Sequence, residues 1–380
     1  MNEIVIIITI SAILSTSPFF SKSLRIPTPA VEIILGMVAA YLGLLQDEYL
    51  FELMAHVGFF YLMFLAGLEV DLRIFVSKKI SFVRKGFIYL ALLYMFSFLG
   101  IYYLGLNRIY LILLPMLSVG LILALYKDYG KDTKWLNLSM MVGTMGELVS
   151  ISLLTFSAAA LEFGIGMELY KAIAYLVLFL TAILILFKLL KVLFWWYPEL
   201  KTYLMPHLDK EEKDIRLSMA IFFLLMAIML FLNLEIAFGA FIAGIFISSF
   251  FEHKEELPQK LSSFGFGFLV PLFFIYIGST FELQALFSKG LILNALLITF
   301  LMLGSRILAS TVFIKMLSVR EIFLFALSQS MPLTLLIAVA TIAYNSHSID
   351  HFTYLSFVLA SIFEVVLAMT VIRVIHKKSE

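Results

Sequence analysis

Three ionisable side chains interrupt long apolar stretches of this sequence: Glu147, Arg306 and Glu364. Glu147 has about ten largely apolar residues on either side, and a helix needs about 20 residues to cross a hydrocarbon core about 30 Å thick. Each of the three side chains is therefore expected deep within a membrane. An ionisable group costs several kcal/mol there and usually serves a function.

A carboxyl group in this position can hold two competing ligands. Burial favours its neutral form, whereas a nearby guanidinium group favours the carboxylate, so Glu147 can bind either a proton or a cation. Arg306 stays charged and can act only as a fixed countercharge. We expect it to form a structural ion pair with Glu364 or with helix-end carbonyl groups, and Glu147 is the alternative partner.

Two breaks in predicted helices should contribute to the same site. The first break (residues 115–120) carries a proline, a serine and a glycine, and the second break (residues 328–334) reads Ser-Gln-Ser-Met-Pro-Leu-Thr. Discontinuous helices of two inverted repeats commonly form the ion site of a transporter, because their freed backbone groups and dipoles point at the ion. The residues predicted to bind Na⁺ or K⁺ and the proton are Glu147, Ser118, Gln329 and Ser330.

The composition places these residues in a membrane protein. The chain has 380 residues, of which 62% are hydrophobic and only 14% are charged, and its mean hydropathy is +1.04. These values predict an all-α polytopic protein in a lipid bilayer. The absence of cysteine excludes disulfides and thiol chemistry. We expect a transporter and no enzyme, with no cofactor, no nucleic-acid partner and no soluble regulatory domain.

About thirteen apolar segments are predicted to cross the membrane. The fifth and the twelfth contain the breaks, and each is followed by a span with a glutamate near its middle. Spans five and six are thus offset by seven from spans twelve and thirteen. Because an odd offset reverses the direction of a span, the two pairs have opposite orientations in the membrane, as in inverted repeats. Only residues 233–235 separate the eighth span from the ninth. The predicted spans are residues 3–20, 28–46, 53–72, 86–105, 109–126, 136–160, 169–194, 217–233, 235–251, 264–282, 289–315, 321–344 and 353–373.

The basic residues predict the orientation. One alternating set of loops holds 23 of the 27 Lys and Arg residues, the other set holds three, and Arg306 lies inside a span. We expect a multi-pass protein of the inner (cytoplasmic) membrane. Because cytoplasmic loops are enriched in Lys and Arg, its N-terminus should lie outside the cell and its C-terminus in the cytoplasm. Glu69 and Asp71 then lie at the cytoplasmic end of the third span, where they are expected to anchor the helix or line a funnel.

Four segments resemble motifs of the monovalent cation:proton antiporter-2 family, which includes bacterial potassium-efflux antiporters. The segment Phe64–Asp71, Phe-Leu-Ala-Gly-Leu-Glu-Val-Asp, is the most specific of them. The order and spacing agree over about residues 4–373, so the resemblance covers essentially the whole chain. The other three segments are residues 24–43, Phe238–Gly244 and Pro271–Gly278.

This resemblance implies a sodium/proton antiporter fold with inverted repeats and two crossed discontinuous helices. It also implies an elevator-type homodimer, in which a core translocation part moves against a dimerisation part. The family's ion-binding aspartate falls on Glu147, and its basic core residue falls on Arg306. The implied core covers about residues 86–160 and 289–373, and the implied dimerisation part covers about residues 1–72 and 169–282.

The expected function is exchange of Na⁺ or K⁺ for H⁺ by alternating access. One titratable carboxylate beside a permanently charged arginine predicts electroneutral 1:1 exchange. Two alternatives remain open. The first is an anion or organic-acid symporter of the same fold, with Arg306 as the countercharge of the substrate. The second is a non-transporting membrane sensor or scaffold that has lost the ion ligands.

Overall fold

The structure of the chain is a computed structural model, and all regular elements among its described residues are helices. The described residues are 2–24, 26–46, 48–70, 80–122, 125, 133–163, 167–197, 199–200, 212–250, 256–281 and 290–377.

The helices follow the predicted apolar segments along the chain. They are α1 (Asn2–Leu24), α2 (Thr28–Tyr41), α3 (Tyr49–Glu69), α4 (Ile80–Leu104), α5 (Tyr110–Leu113), α6 (Lys134–Phe163), α7 (Met167–Trp196), α8 (Lys213–Phe231), α9 (Ile236–Phe250), α10 (Glu256–Phe264), α11 (Val270–Ser279), α12 (Leu291–Ser310), α13 (Val319–Gln329), α14 (Leu333–Asn345) and α15 (His351–Lys377). A π-helical segment, Gly265–Leu269, joins α10 to α11.

Nine stretches within the described residues are long and apolar enough to cross a membrane, and the bent pair α13–α14 makes a tenth. Two further apolar helices, α2 and α9, are shorter. The fifth predicted span contains the four-residue helix α5, and part of it lies outside the described residues. Among the described residues, each predicted span thus contains helical segments.

The eighth and ninth predicted spans are separate helices, as the sequence predicts. After α8, Asn233 adopts a left-handed conformation with φ of 53°, which asparagine tolerates better than most residues. The N–H of Asn233 donates to the carbonyl oxygen of Leu230 at 3.1 Å, and that of Leu234 donates to Met229 at 2.9 Å. This pair of bonds is a Schellman motif, which ends a helix and satisfies its last carbonyl groups.

The chain divides into two compact units. The first comprises residues 1–56, 73–154 and 271–380, and the second comprises residues 57–72 and 155–270. Both predicted breaks, Glu147, Arg306 and Glu364 belong to the first unit. The predicted division into a moving core and a dimerisation part concerns motion and assembly, so it stays a prediction.

Both predicted breaks are present in the first unit. The helix α5 ends at Leu113, residues 114–119 are not helical, and helical conformation resumes at Gly120. Between α13 and α14 the axes bend by 40°. Pro115 and Pro332 account for the positions, because a proline lacks the N–H that a helix interior needs and its ring clashes with the preceding turn.

Two glycines bring α2 and α11 into close contact within the first unit. A Cβ atom on Gly36 would lie closer than 3.0 Å to the carbonyl oxygen of Ile275, and one on Gly278 would lie equally close to that of Ile33. Each glycine therefore faces the carbonyl group three residues before the other glycine. Small residues allow helix backbones to approach in this way within membranes.

The second unit contains the same reciprocal contact between α3 and α9. A Cβ atom on Gly67 would collide with the carbonyl oxygen of Phe241, and one on Gly244 would collide with that of Phe64. The spacing of three residues is again the same on both helices. The helices α2 and α9 are the second and ninth predicted spans, and α3 and α11 are the third and tenth. The two crossings are therefore related by an offset of seven spans, which supports the predicted inverted repeats.

We predict that Gly36→Ala and Gly244→Ala each destabilise the protein by about 1–3 kcal/mol, since an added methyl group must displace backbone in a well-packed crossing. The apparent melting temperature of the detergent-solubilised protein measures the loss. Gly304→Ala is the matched control, because a Cβ atom there meets nothing within 4 Å. Alanine also favours a helix by about 1 kcal/mol over glycine. Equal melting temperatures for all three variants would contradict the close contact.

Candidate ion-binding site

Glu147 lies near the middle of α6 and is only 1% exposed. The hydroxyl of Ser118, in the first break, donates a hydrogen bond to Glu147 Oε1 at 3.4 Å. The first break can come this close because α6 carries Gly146 beside the glutamate. A Cβ atom on Gly146 would meet the side chain of Leu117 at under 3.0 Å, so a larger residue would push the break away from the carboxyl group.

The two breaks meet at Ser118. Its hydroxyl lies 3.4 Å from the hydroxyl of Thr334, which belongs to the first turn of α14. Ser118 therefore touches the carboxyl group of Glu147 and the second discontinuous helix at once. The sequence-based prediction did not include Thr334, although it is the last residue of the second break. Only the contact between the two breaks in the structure identifies it.

Gln329, the last residue of α13, is held by one end of its side-chain amide. Its Nε2 atom donates to the carbonyl oxygen of Ser139 at 2.9 Å, and the neighbouring Ser328 hydroxyl lies 2.7 Å from the hydroxyl of Ser139. Its Oε1 atom is buried and has no hydrogen-bond partner among the described residues. This oxygen faces Gly143, which lies one helical turn before Glu147. It can coordinate a cation or accept a hydrogen bond.

Ser330 lies on a different side of the second break. Its hydroxyl donates to the carbonyl oxygen of Ala326 at 3.0 Å and lies beside the carboxyl group of Glu364. The structure thus brings Glu147, Ser118 and Gln329 into one region and places Ser330 next to the second glutamate. The predicted part of Ser330 in binding the ion stays a prediction.

Arg306 and Glu364 form a buried ion pair. The Nη1 atom of Arg306 lies 2.9 Å from Glu364 Oε1, and the two side chains are 0% and 1% exposed. The Nη2 atom of Arg306 donates to the carbonyl oxygen of Met116 at 2.6 Å. That carbonyl group belongs to the first break and has no helical partner of its own. Arg306 therefore joins α12, α15 and the first break.

Two further polar contacts lie along the same pair of helices. The Nδ2 atom of Asn294 on α12 donates to the hydroxyl of Ser356 on α15 at 3.1 Å. The hydroxyl of Thr299 donates to the carbonyl oxygen of Ala360 at 3.3 Å as well as to its own helix. Hydrogen bonds between membrane helices contribute about 0.6 kcal/mol each on average. Together these two hydrogen bonds help to fix how α12 and α15 are aligned along their axes, and this alignment sets Arg306 opposite Glu364.

Of the two carboxylates predicted near the cytoplasmic surface, Glu69 is among the described residues. Glu69 is the last residue of α3, in the second compact unit, and is half-buried. Asp71 lies outside the described residues. Their predicted role as a helix anchor or funnel stays a prediction.

Two other acidic residues are buried in ways that the sequence did not predict. Glu32 on α2 is 3% exposed and accepts a hydrogen bond from Ser17 at 3.3 Å. Asp214, in the first turn of α8, is also buried and lies 3.5 Å from the ammonium group of Lys260. Both residues stand near the ends of apolar segments, where a sequence alone does not reveal whether a carboxyl group is covered.

Comparison with known proteins gives the family. The family model described as sodium/hydrogen exchanger, transmembrane, matches residues 7–378. The putative Na⁺/H⁺ antiporter YjbQ of Bacillus subtilis is 26% identical over an alignment of 371 residues, and the match covers 91% of this chain. This chain spans 58% of the length of that relative. The Na⁺/H⁺-K⁺ antiporter GerN of Bacillus cereus is 28% identical over 284 residues, covering 70% of this chain and 69% of GerN.

The chain also resembles a solved structure, that of the sodium proton antiporter MjNhaP1 from Methanocaldococcus jannaschii at pH 8. The TM-score is 0.67 at 15% sequence identity, and the match covers 97% of this chain and 96% of the other. A likeness at this identity establishes a shared fold. The predicted fold class, an all-α polytopic membrane protein with two discontinuous helices, is confirmed.

We predict that removing either member of the Arg306–Glu364 pair alone destabilises the protein by about 3–5 kcal/mol, because the remaining charge is left buried without a partner. The variants Arg306→Gln and Glu364→Gln, and the double variant, would be compared by thermal unfolding in detergent. The double variant should lose less than the sum of the two single losses. The exposed Arg108→Gln serves as the control. Additive losses would show that the pair is not coupled.

Proposed function

Because the chain belongs to the sodium/hydrogen exchanger family, we propose that it exchanges a monovalent cation for H⁺ across a membrane, with Glu147 as the shared binding group. One observation carries this proposal. The meeting point of the two breaks holds a buried carboxyl group, the hydroxyl groups of Ser118 and Thr334, and the uncommitted Oε1 atom of Gln329. These oxygen atoms are the kind of ligand that Na⁺ and K⁺ prefer.

The coupling follows from competition for one carboxyl group. A proton and a metal cation cannot both occupy Glu147, so each must leave before the other binds. Arg306 does not enter this competition, because it cannot release a proton and both of its Nη atoms are bonded, one to Glu364 and one to the Met116 carbonyl. Since one unit of charge leaves as one enters, the exchange is electroneutral with 1:1 stoichiometry.

The ion is Na⁺ or K⁺. The name of YjbQ refers to Na⁺ and that of GerN to both ions, and the oxygen ligands proposed here suit either. The motif segments Phe64–Asp71, Phe238–Gly244 and Pro271–Gly278 further support a place in the monovalent cation:proton antiporter-2 branch. Ser330, whose hydroxyl lies beside the carboxyl group of Glu364, is proposed as a further ion ligand.

Alternating access requires two parts of the chain to move against each other. We propose an elevator-type homodimer in which residues 86–160 and 289–373 carry the ion past a dimerisation part, residues 1–72 and 169–282. The N-terminus faces the outside of the cytoplasmic membrane and the C-terminus faces the cytoplasm, which the distribution of Lys and Arg supports.

Transport of an anion on Arg306 is not favoured. Two of the nitrogen atoms of its guanidinium group are committed to buried partners at 2.9 and 2.6 Å. An anion that took the place of Glu364 would leave the displaced carboxylate buried without a countercharge, at a large cost in free energy.

We predict that Glu147→Gln abolishes exchange, because an amide neither releases a proton nor carries the charge that attracts a cation. Dissipation of a pH gradient in proteoliposomes on adding Na⁺, K⁺ or Li⁺ measures the activity. Ser118→Ala and Gln329→Ala should raise the KM for the cation several-fold and leave a measurable maximal rate.

The wild-type protein and the Arg306→Gln variant separate the alternatives. Full exchange in Glu147→Gln would refute the assignment of the site. Loss of substrate binding in Arg306→Gln alone, with Glu147→Gln active, would identify an anion carrier. Neither flux nor a cation-induced thermal shift in the wild type would identify a sensor or scaffold.

The absence of cysteine makes the orientation directly testable. We predict that a membrane-impermeant maleimide labels Ser346→Cys, in the α14–α15 connection, on intact cells. Val319→Cys, at the exposed start of α13, should react only after permeabilisation. The reverse pattern would invert the proposed orientation.

A further inference from the structure

Two buried hydroxyl groups, one of them three residues after Glu147 in the chain, lack a hydrogen-bond partner of ordinary geometry among the described residues. The Oγ atom of Ser150 on α6 and the Oη atom of Tyr94 on α4 are both inaccessible to solvent, and neither has a partner of ordinary hydrogen-bond geometry among the described residues. The two groups are nevertheless close enough to each other to interact. Buried polar atoms in native proteins are usually hydrogen-bonded, so each exception requires an explanation.

Ser150 differs from the other hydroxyl-bearing residues described on its helix. Ser139, Thr144 and Ser152 each donate to the carbonyl oxygen four residues earlier, at 2.7–2.9 Å. Such bonds are the default for serine and threonine within a helix. Ser150 does not make one, so its hydroxyl group is directed away from its own backbone and towards Tyr94.

The position of Ser150 connects this pair of hydroxyls to the carboxyl group. Residues three apart on a helix share a face, with about 5–6 Å between their Cβ atoms, and Ser150 follows Glu147 by three. Gly143 precedes Glu147 by four residues on the same face, and Gln329 faces Gly143. The carboxyl group thus stands between the Gln329 oxygen, one turn before it, and the Ser150 hydroxyl, about one turn after it.

We propose that Tyr94 and Ser150 form a binding site for a water molecule that bridges them to Glu147 and transfers the proton to and from its carboxyl group. Protonated Glu147 gives its proton to the water, and the hydronium ion so formed gives a proton to solvent water when the site is open to one side of the membrane; uptake of a proton runs in reverse. Each step breaks one O–H bond and forms another. This inference rests on the function proposed above and adds Tyr94 and Ser150 to it as positioning residues.

A bridging water satisfies every observation on this side of α6. When Glu147 is ionised, a water molecule can donate to its carboxylate while it accepts from the hydroxyl groups of Ser150 and Tyr94. When Glu147 is protonated, one hydroxyl group turns to accept from the water, which then accepts from the carboxyl group. Two to four polar partners are what a buried water requires. The water and the Gln329 oxygen then approach the carboxyl group from successive turns of α6.

The test removes only the hydroxyl groups. In proteoliposomes, Tyr94→Phe and Ser150→Ala should each lower the maximal exchange rate about 5–10-fold while the KM for the cation changes less than 2-fold. The double variant should be no slower than the slower single variant, because both residues hold the same water. The optimum of the pH profile should shift in the two single variants by the same amount.

Matched controls lie on the same two helices. Tyr102→Phe on α4 alters an exposed tyrosine, and Ser152→Ala on α6 alters a serine that is bonded to its own helix; both should exchange at the wild-type rate. Wild-type rates in Tyr94→Phe and Ser150→Ala, or losses that multiply in the double variant, would overturn the inference. Such results would leave the proposed exchange itself intact.

A second measurement does not depend on transport. A water-bridged pair predicts that the melting-temperature losses of Tyr94→Phe and Ser150→Ala are non-additive in the double variant. Two merely unsatisfied hydroxyl groups predict that both substitutions leave the melting temperature unchanged or raise it. If the wild type shows no exchange, the proposed function has failed, and this thermal comparison still accepts or rejects the water site.

Discussion

The arrangement of the site depends on one buried cation. Arg306 cannot lose its charge, so the fold must surround it with negative charge and acceptor oxygens or pay a large desolvation cost. Glu364 supplies the charge, and the carbonyl oxygen of Met116 supplies the acceptor. That carbonyl is available because residues 114–119 are not helical. The break and the ion pair therefore stabilise each other, and the break in turn holds Ser118 against Glu147.

Much of the fold could be predicted from the sequence. Long apolar segments separated by charged clusters give the helices, and the prolines at positions 115 and 332 give both breaks. Membrane spans can be predicted from sequence because a backbone group without a hydrogen bond has a high free energy in hydrocarbon. Few backbone structures therefore can cross a membrane. The division into two compact units was not readable in the same way. It depends on which helices pack together, and nearly all of them are equally apolar.

The candidate site was predictable only in part. Glu147 and Arg306 stand out because a charge in an apolar segment is rare, and Ser118 and Gln329 because they lie in the breaks. Thr334 did not stand out, since its importance arises from a 3.4 Å contact between two segments more than 200 residues apart in the chain. Tyr94 and Ser150 carry no charge at all. Their significance lies in hydrogen bonds that are missing, and no sequence pattern records those.

The reciprocal glycine crossings bear on the origin of the chain. Each crossing joins a helix of one repeat to a helix of the other, and the two crossings are equivalent under the repeat. In an ancestor with a single repeat, the same contact would have joined two separate copies inserted in opposite directions. Every glycine would then have been selected twice over, as one residue serving both crossings. Gene fusion would have turned an intermolecular interface into a contact within one chain.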